Sequence, residues 1–210
     1  MGRLLFIATI NLLFFFMKFH DDLNFEDFIG SHTILYGETD TKKTYYTSKF
    51  VQYLIETKEM DPQEISILDF APQLRVLMGL KIGGKIEDFY PQCIKCNNIL
   101  FKGDIIPPRL RATNKQELFQ YALMNYEKTH GILEKFNENP TTILIINDIS
   151  IYLHHGDKNY LLETIQKSNT FFGNSYYGTS IKRNFATFLS LKEKRSVKYL
   201  VKRLDKAYIT

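Results

Sequence analysis

The chain has 210 residues, 44% hydrophobic and 24% charged, with two cysteines and a formal net charge of +4. That length suits one domain with its own core, and the composition excludes a disordered polymer, a collagen-like repeat and a multi-span membrane protein. Two cysteines cannot frame a disulfide scaffold and suit reducing conditions, so a cytoplasmic location is expected.

At the N-terminus, Arg3 precedes an apolar run from Leu4 to Phe16, broken by Thr9 and Asn11. A membrane span needs roughly 18 to 20 apolar residues, so this run is short. A secretory signal needs a small-x-small cleavage site, and none follows. Residues 1–17 are therefore read as an extension outside the fold, either a weak anchor or the product of an over-extended start with Met17 as the true first residue. A single domain is expected over residues 18–210.

The apolar stretch His32–Tyr36 predicts a strand ended by Gly37, and Thr44–Ile55 predicts a helix with Phe50, Val51, Leu54 and Ile55 on one side. Asp61-Pro62 marks a turn, and Ile65–Leu68 a second strand ending at Asp69. Residues 71–108 carry Gly79, Gly83, Gly84, Gly103 and Pro107-Pro108, and read as a loop-rich insertion. Asn114-Lys-Gln-Glu117 fits a capping box that starts a helix over Lys115–Phe136. Thr141–Ile146 is β-branched and continuous, as a strand buried on both faces should be. A helix is expected over Lys158–Phe172 and a turn-rich junction over Gly173–Gly178. An amphipathic helix with Val197, Leu200, Val201 and Leu204 inward follows, and the chain closes with the short segment Ala207–Ile209. Strands separated by helices predict an α/β fold, a three-layer α/β/α sandwich around a mostly parallel sheet.

The segment Gly37-Glu38-Thr39-Asp40-Thr41-Lys42-Lys43-Thr44 joins the first strand to the first helix. A phosphate-binding loop reads Gly, four residues, then Gly-Lys-Ser/Thr in this same setting, and the sequence departs from it only at Lys42, where the second glycine belongs. Backbone N–H groups of such a loop face a phosphate chain at a helix N-terminus. Lys43 is then expected to reach the β- and γ-phosphates, and Thr44 to offer its hydroxyl to Mg²⁺. Asp69 and Asp148 each end an apolar strand, where a parallel sheet presents its site.

With these residues, the chain resembles the P-loop NTPase superfamily over roughly His32 to Asp148. More narrowly, Leu68-Asp-Phe-Ala-Pro-Gln73 resembles the Asp-x-Asp-x-Gly-Gln stretch of P-loop polynucleotide 5′-kinases and MinD-like ATPases, with Ala71 in place of the second acid and Pro72 in place of the glycine. The resemblance implies Mg²⁺ and ATP as ligands, with GTP the lesser alternative. It implies binding through Gly37–Thr44, metal contacts from Thr44 and Asp148, and catalytic roles for Lys43, Asp69 and Asp148, with Asp69 orienting the nucleophile. The expected function is nucleoside triphosphate hydrolysis or phosphoryl transfer. The alternative is a catalytically degenerate module that binds nucleotide as a structural or switching ligand.

Other groups carry two readings each. Cys93-Ile-Lys-Cys96 has the spacing of half a zinc site, although no second Cys pair completes it, and redox chemistry is the other reading. Asn114–Glu117 parallels the guanine-reading Asn-Lys-x-Asp tetrad, although capping fits its position better. His154, His155 and Asp157 either approach the terminal phosphate or form a polar loop; Arg109 and Arg111 are phosphate clamps or exposed loop residues; Tyr176-Tyr177-Gly178 stacks a base or closes a turn. From Phe171 onward nine Lys/Arg stand against Glu193 and Asp205. This block is either the solvated face of a helix or a surface for a polyanion or nucleic acid.

Overall fold

The computed structural model describes residues 23–77, 80–181 and 184–210. The apolar extension 1–17, Gly79 of the insertion and the Lys182-Arg183 pair lie outside the described residues. The strands are β1 (His32–Gly37), β2 (Ile65–Asp69), β3 (Arg75–Leu77), β4 (Leu80–Ile82), β5 (Asn97–Asn98), β6 (Ile143–Asn147), β7 (Thr170–Tyr176) and β8 (Lys206–Ile209). The helices are α1 (Lys43–Gln52), α2 (Pro108–Arg111), α3 (Lys115–Glu138), α4 (Ser150–Leu153), α5 (Lys158–Ile165) and α6 (Thr187–Val201).

Six strands form one sheet in the order β5-β2-β6-β7-β1-β8, and each pairing is parallel. Parallel pairing needs a long crossover between successive strands, and the intervening helices supply it. Alternate residues of each strand face opposite sides. On one side Leu35, Ile65, Ile67, Ile143, Ile145 and Phe172 pack against Phe50 and Val51 of α1 and against Leu54 in the helical turn that follows it. On the other, Ile34, Leu68, Leu144, Ile146 and Phe171 pack against α3, α5 and α6 through Leu133, Leu161, Val197 and neighbours. This is the expected three-layer α/β/α arrangement.

Two expectations need correction. The helix expected over Lys158–Phe172 ends at Ile165, and the expected turn-rich junction belongs to β7, a central strand buried along its whole length. Its sequence Thr-Phe-Phe-Gly-Asn-Ser-Tyr sets strand formers around a turn-like Gly173-Asn174-Ser175, and pairing with strands on both sides overrides that local turn signal. At Gly173 a Cβ would stand 2.5 Å from the Phe171 ring and 3.0 Å from the Ile146 carbonyl. The insertion also holds more order than its glycines suggest. Strands β3 and β4 pair antiparallel, and β5 joins the main sheet beside β2.

The registers align the carboxyl ends of four strands. Gly37 lies opposite Tyr176, and Asp69 opposite Asn147. From β1 the chain leaves toward β2 on one side, whereas from β7 it passes β1 to reach β8 on the other. Adjacent strands whose chains diverge in this way open a crevice at their carboxyl ends, the place where parallel α/β sheets bind ligands.

Candidate functional site

A cavity of about 430 Å³ lies at that crevice. Thr39 through Tyr45 line one end of it, and Asp148, Ser150, His154, Arg109 and Asn174 line its floor. Gly37 and Glu38 sit behind this lining with structural contacts of their own. A Cβ on Gly37 would stand 2.5 Å from the carbonyl oxygen of Thr210, so close backbone approach accounts for the glycine. The Glu38 carboxylate accepts hydrogen bonds from the backbone N–H and hydroxyl groups of Thr179 and Ser180. Burial alone would raise its pKa, but those four donors outweigh it and hold the carboxyl at about 2.

The loop between β1 and α1 is conformationally unusual. Among the described residues four that are not glycine have positive φ, and three of them, Asp40 (57°), Lys42 (60°) and Asp148 (56°), line this cavity. Such conformations cost of order 1–3 kcal/mol each and collect at functional sites. Lys42 is the N-cap of α1 in the left-handed region, with no side-chain cap hydrogen bond. The one departure from the phosphate-loop pattern therefore falls on a residue whose backbone adopts the conformation glycine favours.

The neighbouring Lys43 is buried, and its ammonium turns back into the loop. It donates to the carbonyls of Gly37 and Glu38 and, at 3.0 Å, to the Thr41 hydroxyl. Burial pushes its pKa down to about 8, against the pull of Asp148, Glu38 and Asp40. Thr44 donates its hydroxyl to Asn147 Oδ1 at 3.2 Å. Asn147 in turn donates to Asp69 Oδ1 at 2.9 Å, and Asn174 donates to Asn147 Oδ1 at 2.7 Å. A chain of buried and half-buried side chains thus links the loop to β2, β6 and β7.

The two strand-end aspartates occupy different places. Asp148 lines the cavity, accepts from the Ser150 hydroxyl at 2.5 Å, and has its carboxyl pushed up by burial. Asp69 lies outside the cavity lining and anchors the insertion. It accepts from the N–H groups of Ile86 and Ala71 and sits 3.6 Å from the Lys85 ammonium. Burial pushes its carboxyl up, opposed by Lys85 and these hydrogen bonds.

Of the groups with two readings, Arg109 is 5% exposed, and its guanidinium forks onto Glu193 at 2.7 and 3.1 Å while lying 4.9 Å over the Tyr176 ring. His154, 3% exposed, places Nε2 2.7 Å from the same carboxylate. Glu193, which entered the sequence analysis only as a minority acid in a basic block, is fully buried at the centre of this triad. Arg111 is exposed, and Gly178 packs against Glu38. Cys93 and Cys96 are buried in the α1-side core, with thiols pushed up by burial to about 12 and 11. Asn114 caps α3 by accepting from the Glu117 N–H at 2.9 Å. Among the described residues no three His, Cys, Asp or Glu side chains gather as a metal site.

Asn147, Asn174 and Glu193 are the site residues that sequence reasoning missed. Asn147 ends the strongest strand in the sequence, which was a usable signal; Asn174 was hidden with β7. Among the described residues no helix is long and apolar enough to cross a membrane. Comparison of the sequence with protein-family models and with curated proteins finds no match, so the chemistry of this cavity must be argued from its own geometry.

Proposed function

We propose that this chain binds a Mg²⁺–nucleoside triphosphate, ATP in the first instance, and hydrolyses it or transfers its terminal phosphoryl group. The observation that carries the reading is one cavity at the carboxyl ends of β1, β6 and β7. It joins a strand–loop–helix turn of phosphate-loop pattern to the carboxylate of Asp148. Loop amides, the N-terminus of α1 and the Lys43 ammonium offer positive charge to a phosphate chain. Lys43 exchanges its loop carbonyls for phosphate oxygens on binding.

The donors suit Mg²⁺, which takes hard oxygen ligands, commonly one or two carboxylates completed by phosphates and water. Thr44 and Asp148 are the residues that would hold it. The ion would neutralise charge developing on the transferred group. Lys43 would stabilise the same charge from the loop side, and Asp69, through Asn147, would fix the Thr44 hydroxyl.

The degenerate-module reading has one observation in its favour: the left-handed Lys42 and the inward Lys43 describe a loop closed on itself. Thermal unfolding with and without Mg·ATP tests both readings, since ligand at 100 times its Kd adds about 2.7 kcal/mol. Lys43→Ala should abolish the shift. No shift in the unaltered chain overturns both readings, and a shift without phosphate release or transfer selects the module. For the polyanion surface, the exposed Arg195, Lys198, Lys202 and Arg203 are the candidates. Oligonucleotide binding that weakens steeply with salt would support it.

A further inference from the structure

The wall of the cavity beside the phosphate loop is built differently from its floor. Tyr45, the residue immediately after Thr44, is 37% exposed, Leu74 50% and Phe89 42%. All three line the cavity, and the Tyr45 and Phe89 rings meet edge to face with centroids 6.1 Å apart. Ile82 lies beside them in the lining. The wall is held in place by the insertion. The Thr39 hydroxyl donates to the Lys81 carbonyl at 3.0 Å, and the Gly84 N–H donates to the Pro72 carbonyl at 3.0 Å. At Gly83 a Cβ would stand 2.3 Å from the Pro72 carbonyl oxygen, so β4 and the 72–74 segment are pressed together. The other aromatic ring of the lining, Tyr176, is covered by the Arg109 guanidinium and is 7% exposed. The Tyr45 ring carries the Lys49 ammonium 5.5 Å from its centroid and Tyr46 edge-on at 5.5 Å but stays 37% exposed, so the exposed aromatic rings of this cavity are Tyr45 and Phe89.

We propose that Tyr45, Phe89 and Leu74 form a nucleobase subsite that grips the base by its faces and does not read its edges. The substrate class is then nucleoside triphosphates in general, not ATP alone. This inference rests on the triphosphate reading of the loop at Gly37–Thr44. Every base has a π-face, so stacking tolerates all of them, with purines gaining from their larger area. Strong discrimination needs buried polar groups that a wrong base would leave unpaired. Here the hydroxyl of Thr39 is already donated to a backbone carbonyl, and the charged side chain on this wall is the exposed Lys81.

Affinities of the full chain for Mg²⁺ complexes of ATP, GTP, CTP, UTP and inorganic tripolyphosphate test this directly. ATP and GTP should bind within about fivefold of each other, the pyrimidine nucleotides up to about tenfold more weakly, and tripolyphosphate most weakly. Phe89→Ala and Tyr45→Ala should each weaken all four nucleotides about fivefold to a hundredfold and leave tripolyphosphate unchanged. Phe89→Leu keeps apolar bulk without the ring and should lose most of the same factor, which guards against a folding defect in the alanine variant. Tripolyphosphate binding as tightly as ATP, or a preference for one base beyond about a hundredfold, overturns the stacking subsite. Failure of tripolyphosphate and all four nucleotides to bind overturns the phosphate-loop reading beneath it.

Discussion

Lys42→Gly should make this protein more stable. Lys42 has φ 60° and ψ 15° at the N-cap of α1; its side chain is exposed and makes no cap hydrogen bond. Its carbonyl accepts the first helical bond, from Tyr46 N–H at 3.0 Å, which glycine would preserve. An L-residue in the left-handed region costs about 1–2 kcal/mol through crowding of Cβ against the backbone. Glycine removes that crowding but enlarges the freedom of the unfolded chain, which costs about 0.4–1 kcal/mol. The difference predicts a gain of about 0.5–1 kcal/mol, or about 1–4 °C in Tm for a chain of this size. Lys42→Ala is the control, since it removes the charge and keeps Cβ. Denaturant and thermal unfolding of the three proteins in parallel give the comparison. A glycine variant no more stable than the alanine variant refutes the conformational argument.

Other consequences concern the buried groups around the loop. Glu193→Gln removes the carboxylate that holds both Arg109 and His154 in the interior. Removing the carboxylate that offsets a buried guanidinium charge should cost about 3–5 kcal/mol by urea unfolding, and a cost under about 1 kcal/mol would show that the triad is not a unit. Glu38 gives a pH signature. Its folded pKa of about 2 lies below the ordinary carboxylate value, so its clamp on Thr179 and Ser180 is fully present above about pH 4.5 and is lost as pH falls through about 2. A carbon-13 titration of the Glu38 carboxyl should find the low midpoint, and Ser180→Ala should raise it; an unshifted midpoint refutes the clamp.

The arrangement also bears on the proposed metal contact of Thr44. Thr44, Asn147, Asn174, Asp69 and Thr47 form a largely buried polar network in which each side chain serves a neighbour. Such networks are stiff when satisfied and costly when broken. Withdrawing the Thr44 hydroxyl toward a metal would cost Asn147 Oδ1 one of its two donors while leaving that from Asn174 in place. The network can therefore tolerate ligand binding at Thr44 without stranding an unpaired acceptor.

Much of this was open to local reading. The strands β1, β2 and β6 and the helices α1 and α3 are carried by continuous apolar runs or helical spacing, and Asn114 caps α3 as its position suggests. The loop at Gly37–Thr44 was likewise legible, because turn residues between a strand and a helix leave a local pattern. What tertiary structure alone decided is long-range. β7 runs unbroken because it lies between β6 and β1, where hydrogen bonds on both edges and a tight fit at Gly173 outweigh the turn preference of Gly173-Asn174-Ser175. Glu193 is buried because Arg109, 84 residues away, neutralises it. Asp69 and Asp148 end similar apolar runs, yet one anchors the insertion and the other lines the cavity, since strand order and the path of residues 71–108 set what each carboxylate meets. The composition and local pattern determined an α/β sandwich of modest positive charge. Only packing determined where those charges lie, since Coulomb energy and desolvation depend on distance and burial, which sequence spacing does not encode.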